Sequence, residues 1–428
     1  MPNEIVAKAK NILFSGTIIV TIGLFVTNIL SYLLQLFLGR YLSLTDYGVF
    51  TALLSLFSIL GIATTALTTS LIKLTSELKA NEDYEKLTNL FWQFVKISIL
   101  VVFVFVTVLY FARDFLGSYL NIEDHYIFPV FGMYIGLTFL NAVPSSYLQG
   151  LLRFKAFAFF SVLSSSLRLV ISTLFVIFGL SVAGVFYGMS IAVVLSFFVS
   201  LFLLSKNFIK YNNNNLKPFY KKVLVFSTPV LFVNVGMMIL NNIDVILVKH
   251  FFDSETAGLY SGVVTMGKIL LFGAGTIGIV MFPQISELYT KGVPYLAKFK
   301  EFFLIQLVLI LGGLAFFTLF PELITKIMFG HKFLESVSLI PKYTLFVGIY
   351  VLINFMILFF LAINKTRVFL LQVPIVIFQY AFINLKHSTL EEIININIFV
   401  SALLLLLVLL YFYFVLKEEK PSHTIVVD

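Results

Sequence analysis

The sequence predicts an all-α integral membrane protein of about twelve transmembrane helices in two six-helix lobes. Three observations predict this class. First, 60% of the 428 residues are hydrophobic and only 12% are charged, whereas a soluble chain is about half apolar and a quarter charged. Second, many apolar runs exceed the ~20 residues that a helix needs to cross ~30 Å of hydrocarbon. Third, the two halves of the chain resemble each other.

The apolar runs predict the position of each helix. The first run is too long for a removed signal peptide, so it is expected to be a retained span. The eleventh is the shortest. The residues between spans 9 and 10, about 321–338, contain apolar positions typical of a short interfacial helix. The predicted spans are 12–38, 45–72, 90–112, 126–150, 156–178, 182–205, 223–248, 258–285, 302–320, 339–363, 368–385 and 393–416.

The basic residues predict the orientation. The net charge is +8, but its position in short loops follows the positive-inside rule rather than suggesting nucleic acid. With the N-terminus inside, cytoplasmic segments hold nineteen Lys and Arg, outer segments hold seven, and spans hold three. This bias predicts a multi-pass protein of the cell membrane with both termini cytoplasmic.

An internal repeat predicts the domain organisation. Tyr47-Gly48-Val49-Phe50 matches Ala257-Gly258-Leu259-Tyr260, and Ser76-Glu77-Leu78 matches Ser286-Glu287-Leu288, both at an offset of 210 residues. An even number of spans inserts both halves in the same sense, which is the parallel-repeat plan of alternating-access carriers with substrate between the lobes. We expect lobes at 1–210 and 223–428, joined by a cytoplasmic linker at 211–222.

Polar residues in apolar spans indicate which helix faces avoid lipid. They recur on one face of spans 1, 2, 4, 5, 7 and 8, which are expected to line a wet cavity, whereas spans 9 and 12 are expected to face lipid. For the Ser and Thr members, ordinary helix packing is an open alternative. The amide side chains predicted to line the cavity are Asn28, Asn141, Gln149, Asn234 and Asn241.

Charges inside spans are the strongest candidates for function. A central Lys or Arg costs about 2.5–3.5 kcal/mol, so Arg168 and Lys268 should face water, a counter-ion or an anionic substrate. Asp244 is the one carboxylate beyond the first turn of a predicted span. It is expected to pair with a cation, bind a coupling ion or reach the outer headgroups.

Three further cations have two interpretations. Lys96 is near the end of span 3, so its ammonium can snorkel to the membrane surface. Arg40 and Lys73 lie at span ends, where a cation either anchors the helix at the interface or contacts substrate. With Lys96 counted, three intramembrane cations stand against one anion. This balance favours an anionic substrate such as a pyrophosphate-linked glycolipid over a cationic drug.

Several chemistries have no sequence signal. The chain has no cysteine, which removes disulfides and thiolate chemistry. It has no Walker-type phosphate loop and no cluster with metal-ligand spacing, so no ATPase, metal or cofactor is predicted.

Several motifs resemble the polysaccharide biosynthesis flippases, the O-antigen and capsule repeat-unit translocases of the multidrug/oligosaccharidyl-lipid/polysaccharide exporter superfamily. The resemblance covers nearly the whole chain. It rests on Gly39-Arg40-Tyr41-Leu42, Asp46-Tyr47-Gly48-Val49-Phe50, Gln149–Lys155, Asn242-Ile243-Asp244 with Ala257–Tyr260, and Pro321–Ile324 with Phe329-Gly330.

The resemblance implies a MATE-like, two-lobed carrier with a central cationic cavity and a polyprenyl-linked oligosaccharide as substrate. It also implies membrane lipids, a polysaccharide polymerase and glycosyltransferases as partners. Two alternatives stay open. One is a cation-coupled drug or metabolite antiporter of the same fold, which would require Asp244. The other is a polytopic sugar polymerase or ligase, for which no large outer loop is found.

Overall fold

The computed structural model describes residues 2–205 and 234–419, and every regular element in these ranges is a helix. The chain divides into two compact units, Met1–Leu231 and Phe232–Asp428, which we call the N-terminal and C-terminal units. The predicted all-α membrane class is confirmed. The predicted linker 211–222 lies outside the described residues, and the predicted lobe boundaries stay a prediction.

Seven helices form the described part of the N-terminal unit. They are α1 (Pro2–Tyr41), α2 (Leu44–Leu60), α3 (Ile62–Ala80), α4 (Tyr84–Tyr119), α5 (Ile127–Gly150), α6 (Phe154–Ile177) and α7 (Ser181–Leu204).

The C-terminal unit begins, in its described part, with a helical segment at 234–240. It continues with α8 (Ile243–Phe251), α9 (Ser254–Ala274), α10 (Thr276–Thr290), α11 (Leu296–Leu319), α12 (Pro321–Phe329), α13 (Ile340–Ala362), α14 (Gln372–Leu385) and α15 (Leu390–Glu419). Two 3₁₀ segments, Gly330–Leu339 and Thr366–Leu371, precede α13 and α14.

The described residues contain ten helices long and apolar enough to cross a membrane, or eleven if the bent pair α2–α3 is one span. Every predicted span except 223–248 has a counterpart among them. Span 223–248 falls partly outside the described residues, and its described part is the segment 234–240 with most of α8. A short helix, α12, is present between spans 9 and 10 as expected.

Two predicted spans are broken rather than continuous. The pair α2–α3 bends by 40° at Gly61, and α9 gives way to α10 at Gly275. A Cβ at Gly61 would lie 2.9 Å from the carbonyl oxygen of Phe57, and one at Gly275 would lie 2.4 Å from that of Leu271. Both breaks therefore favour glycine, which is a recognised cause of sharp helix kinks.

The internal repeat extends to the helix ends. Each pair of corresponding ends is separated by 210 residues: α1 and α8 end at Tyr41 and Phe251, α2 and α9 begin at Leu44 and Ser254, and α3 and α10 end at Ala80 and Thr290. The preceding N-cap residues also correspond. Ser43 accepts a hydrogen bond from the Asp46 amide at 3.0 Å, and Asp253 accepts from the Thr256 amide at 2.9 Å. The two halves therefore start their second span with the same capping device.

The core of the N-terminal unit is aromatic and aliphatic. Phe91 of α4 and Tyr147 of α5 pack edge to face with centroids 5.0 Å apart, and the Tyr147 hydroxyl donates to the Leu87 carbonyl at 3.0 Å. Leucines of α3 and phenylalanines of α6 and α7 complete this buried cluster. In a lipid solvent such close packing, rather than hydrophobic expulsion, holds the helices together.

Gly188 marks a close approach of α6 and α7. A Cβ there would lie 2.7 Å from both Cα and N of Ser172, and backbone atoms cannot rotate away. Gly188→Ala should therefore lower the free energy of unfolding by about 1–3 kcal/mol, measured by denaturant titration in micelles. Gly312→Ala is the matched control, because no atom lies within 4 Å of its Cβ position. An equal loss in both variants would contradict this packing argument.

The expectation that spans 9 and 12 face lipid fits most of each helix, of which only 22% and 28% is buried, but each helix also buries polar side chains. Asn397 and Ser401 of α15, in span 12, are fully buried, and so is Gln306 of α11, in span 9. The apolar sequence of these two spans did not reveal the buried faces, because a protein interior in a membrane is about as apolar as the lipid around it. A few amides in a long apolar run then give the only sign of a buried face.

Candidate functional site

The first polar site surrounds Arg168 in the N-terminal unit. A cavity of about 80 Å³ is bordered by Arg168 and Ser165 of α6, Gln35 of α1 and Tyr134 of α5. The Arg168 Nη2 donates to the Ser165 hydroxyl at 2.8 Å. Its Nε is buried and has no hydrogen-bond partner in the described part of the chain.

This cavity has room for water beside Arg168 and leaves most of its donors available. A guanidinium carries five N–H donors, and none of the described residues that border the cavity is a carboxylate. The volume exceeds what one water needs, about 15 Å³ of accessible space. The arrangement can therefore hold a solvated positive charge and receive a small anionic group such as a phosphate.

The second polar site surrounds Asp244 in the C-terminal unit. The Asp244 Oδ2 accepts from the Tyr260 hydroxyl at 2.6 Å and from the Asn397 amide at 2.9 Å. The Gln379 amide donates to Asn397 Oδ1 at 2.9 Å and to the Leu240 carbonyl at 3.0 Å. The four side chains that form these bonds are fully buried, so α8, α9, α14 and α15 meet in one hydrogen-bonded network.

Three oxygen atoms at this network have no partner among the described residues: Asp244 Oδ1, Gln379 Oε1 and the Tyr343 hydroxyl. The rings of Tyr343 and Tyr260 are edge to face at 5.8 Å. Lys268, two helical turns beyond Tyr260 in α9, attracts Asp244 electrostatically. No salt bridge within 4.0 Å joins them in the described structure. An unpaired carboxylate oxygen beside two tyrosines can receive a proton or a monovalent cation.

Full burial removes one expectation for Asp244. The side chain is 0% exposed, so it does not reach out to the outer headgroups. Pairing with Lys268 at a distance and binding of a coupling ion remain as proposals for this carboxylate.

The predicted amides have different surroundings. Asn141 of α5 donates weakly to Ser164 of α6 at 3.5 Å, and its Oδ1 is buried without a partner in the described residues. Gln149 donates to the carbonyl of Ser145 in its own helix at 3.4 Å. The other three amides differ in exposure: Asn28 is exposed on α1, Asn234 is partly buried, and Asn241 is buried three residues before Asp244.

Arg40, Lys73 and Lys96 are exposed on the N-terminal unit, and none borders the Arg168 cavity. Their assignment as interface anchors or substrate cations stays a prediction. Arg168 and Gln35 border the same cavity in one unit, whereas Asp244 and Lys268 in the other interact electrostatically without a direct ion pair in the described structure.

The sequence reasoning missed three members of the Asp244 network: Tyr260, Gln379 and Asn397. Asn397 and Gln379 are amides inside predicted spans 12 and 11, so the criterion that selected Asn141 would have found them. Tyr260 had no comparable signal, because tyrosine is abundant in this chain, with 20 residues.

Ten or eleven apolar spans in the described chain, with a buried polar site in each unit, define a polytopic membrane protein. More particularly, the chain belongs to the polysaccharide biosynthesis protein family, whose model matches residues 13–289. The match includes Arg168, Asp244 and Lys268. None of the curated proteins gives a significant match to the sequence.

Solved structures with the same fold are transporters. One is an inward-facing multidrug resistance MATE family transporter of the MOP superfamily (TM-score 0.74, 15% identity, covering 91% of this chain and 96% of that one). Another is the lipid II flippase MurJ in an inward closed conformation (TM-score 0.73, 16% identity, 94% and 87%). An outward-facing MATE transporter gives a TM-score of 0.62 at 16% identity over 95% and 96%. At 15–16% identity these similarities show that the chain shares the fold of these transporters and of this flippase.

Proposed function

We propose that the protein translocates a polyprenyl-(pyro)phosphate-linked oligosaccharide across the cytoplasmic membrane for surface polysaccharide synthesis, by alternating access of its two lobes. The observation that carries this proposal is the guanidinium of Arg168. It lies within a span, borders a cavity and has no carboxylate among the described residues around that cavity.

A fixed positive charge in a span is costly to retain without a purpose. Guanidinium groups bind phosphate through paired hydrogen bonds, and the cavity of about 80 Å³ suits a phosphate better than a sugar. In this proposal Arg168 and Lys268 bind the phosphate groups. The polyprenyl tail stays in lipid. Membership of the polysaccharide biosynthesis family and the MurJ-like fold support this substrate class.

A second function is favoured by Asp244. A buried carboxylate with one unpartnered oxygen suits a coupling ion, as cation-coupled drug or metabolite antiport requires. We place this below lipid-linked oligosaccharide transport because Asp244 can drive the same flipping reaction. Glycosyltransferases that build the substrate and a polymerase that consumes it are the partners this proposal requires.

The test is translocation of a fluorescent polyprenyl-pyrophosphate sugar in liposomes that contain the purified protein. Wild type should flip the lipid, and the double variant Arg168→Ala/Lys268→Ala should be at least tenfold slower, which corresponds to about 1.4 kcal/mol. Lys155→Ala is the matched control, because Lys155 is an exposed cation at the start of the same helix as Arg168. Its rate should stay within twofold of wild type.

Two results would contradict the proposal at different points. Normal flipping by the double variant would remove both cations from the mechanism. No flipping by wild type, across several glycans and with an imposed ion gradient, would favour small-molecule antiport and make Asp244 the residue to test next.

A further inference from the structure

A groove lies where α14 ends and α15 begins, beside the turn at 386–389. Its volume is about 350 Å³, and it opens outward from the C-terminal unit. Its lining residues are Phe382, Lys386, Glu392, Asn395, Ile396 and Phe399.

One cation and one anion line this groove without pairing. The Lys386 ammonium forms no ion pair or hydrogen bond within the described structure, and nearby Glu391 pairs instead with Lys342. The Glu392 Oε2 accepts from the Ser388 amide at 2.9 Å, and the Glu392 amide donates to the Thr389 hydroxyl at 3.2 Å. These bonds cap the start of α15 and leave the other carboxylate oxygen available.

The rest of the groove is apolar. Phe382 is 40% exposed and Phe399 is 58% exposed, and their rings meet edge to face at 6.3 Å. Phe382 lies one helical turn before Lys386, and Phe399 lies two turns after Glu392. Charged groups therefore stand at one end of the groove and aromatic rings follow toward the apolar parts of both helices, as at a membrane interface.

We propose that this groove binds a zwitterionic phospholipid whose headgroup carries a primary amine, as phosphatidylethanolamine does. Lys386 binds the phosphate, the free Glu392 oxygen and the Asn395 side-chain carbonyl accept from the ammonium, and an acyl chain packs on Phe382 and Phe399. The lining carries no net charge, which matches a zwitterion, and Glu392 disfavours an anionic headgroup. A choline headgroup carries the same charges but has no N–H to donate. This site is independent of the proposed function.

The test is lipid retention by the purified full-length protein, measured by native mass spectrometry. The micelles hold equal amounts of phosphatidylethanolamine, phosphatidylcholine and phosphatidylglycerol with identical acyl chains. Wild type should retain phosphatidylethanolamine at least tenfold over the other two. Lys386→Met and Glu392→Gln should each lose that preference. Glu392→Gln keeps an oxygen for the Ser388 amide, so the helix cap survives, and an unchanged melting temperature checks this.

Glu391→Gln is the matched control, because Glu391 is adjacent in sequence and does not line the groove. It should retain phosphatidylethanolamine as wild type does. Equal retention of the ethanolamine and choline lipids, preference for phosphatidylglycerol, or an unchanged preference in both groove variants would each overturn the proposal.

Discussion

Asn397→Leu should lower the free energy of unfolding by about 2–3 kcal/mol. The substitution removes the 2.9 Å hydrogen bond to Asp244 and the acceptor of Gln379. A hydrogen bond to a charged group contributes about 1.5–3 kcal/mol and a neutral one about 1, while bonds between membrane helices average only about 0.6. Because the Asp244 carboxylate is buried, we expect the free energy lost with its hydrogen bond to lie toward the upper end of these values. Denaturant titration in mixed micelles measures the change.

Asn395→Leu provides the comparison. Asn395 is on the same helix two residues earlier, but it is exposed. Its replacement should change the free energy of unfolding by no more than about 0.5 kcal/mol. If both leucine variants were equally stable, the Asp244 network would contribute nothing measurable to the fold.

Asp244→Asn should leave the fold intact and remove the response of transport to an ion gradient. The asparagine carbonyl oxygen can still accept from Tyr260 and Asn397 at the place of Oδ2, whereas the negative charge that would hold a coupling ion is gone. We expect the gradient-stimulated rate to fall at least tenfold. The measurement is flipping in liposomes with an imposed proton or sodium gradient, compared with no gradient.

Asp253→Asn controls for loss of a carboxylate in the same unit. Asp253 is exposed and caps α9 through the Glu255 and Thr256 amides, and hydrogen bonds from Thr256 hold its pKa below the usual range. Asparagine caps helices equally well, so this variant should respond to the gradient like wild type. If Asp244→Asn responded to the gradient as fully as wild type, Asp244 would not bind the coupling ion, and pairing with Lys268 would be its role.

The sequence predicts the fold well because lipid imposes a simple rule on each helix. A membrane span needs about 20 apolar residues, and a run of that length can be recognised from the neighbouring residues alone. The predicted spans accordingly agree with the observed bounds of α5, α6 and α7. Arg168 and Asp244 were also found locally, since a charge inside such a run is conspicuous.

The parts that sequence could not predict depend on contacts between distant helices. Nothing near Asn397 indicates that it bonds to a carboxylate 153 residues earlier. The breaks at Gly61 and Gly275 were missed for another reason. Glycine is common in membrane helices, and the clash that favours glycine depends on the conformation of the preceding turn, which the sequence alone does not specify.

The two hydrogen-bond donors of Asp244 lie at very different distances along the sequence, so the ribosome synthesises them at different times. Tyr260 follows Asp244 by 16 residues, but Asn397 follows by 153. At about 5–20 residues per second, the ribosome needs ~8–30 s to synthesise that interval. Throughout this time the nascent carboxylate lacks one of these two hydrogen-bond donors. Synthesis of α15 therefore completes the hydrogen bonds of Asp244, and a chain that stops before α15 should be recognised as unfinished and degraded by membrane quality control.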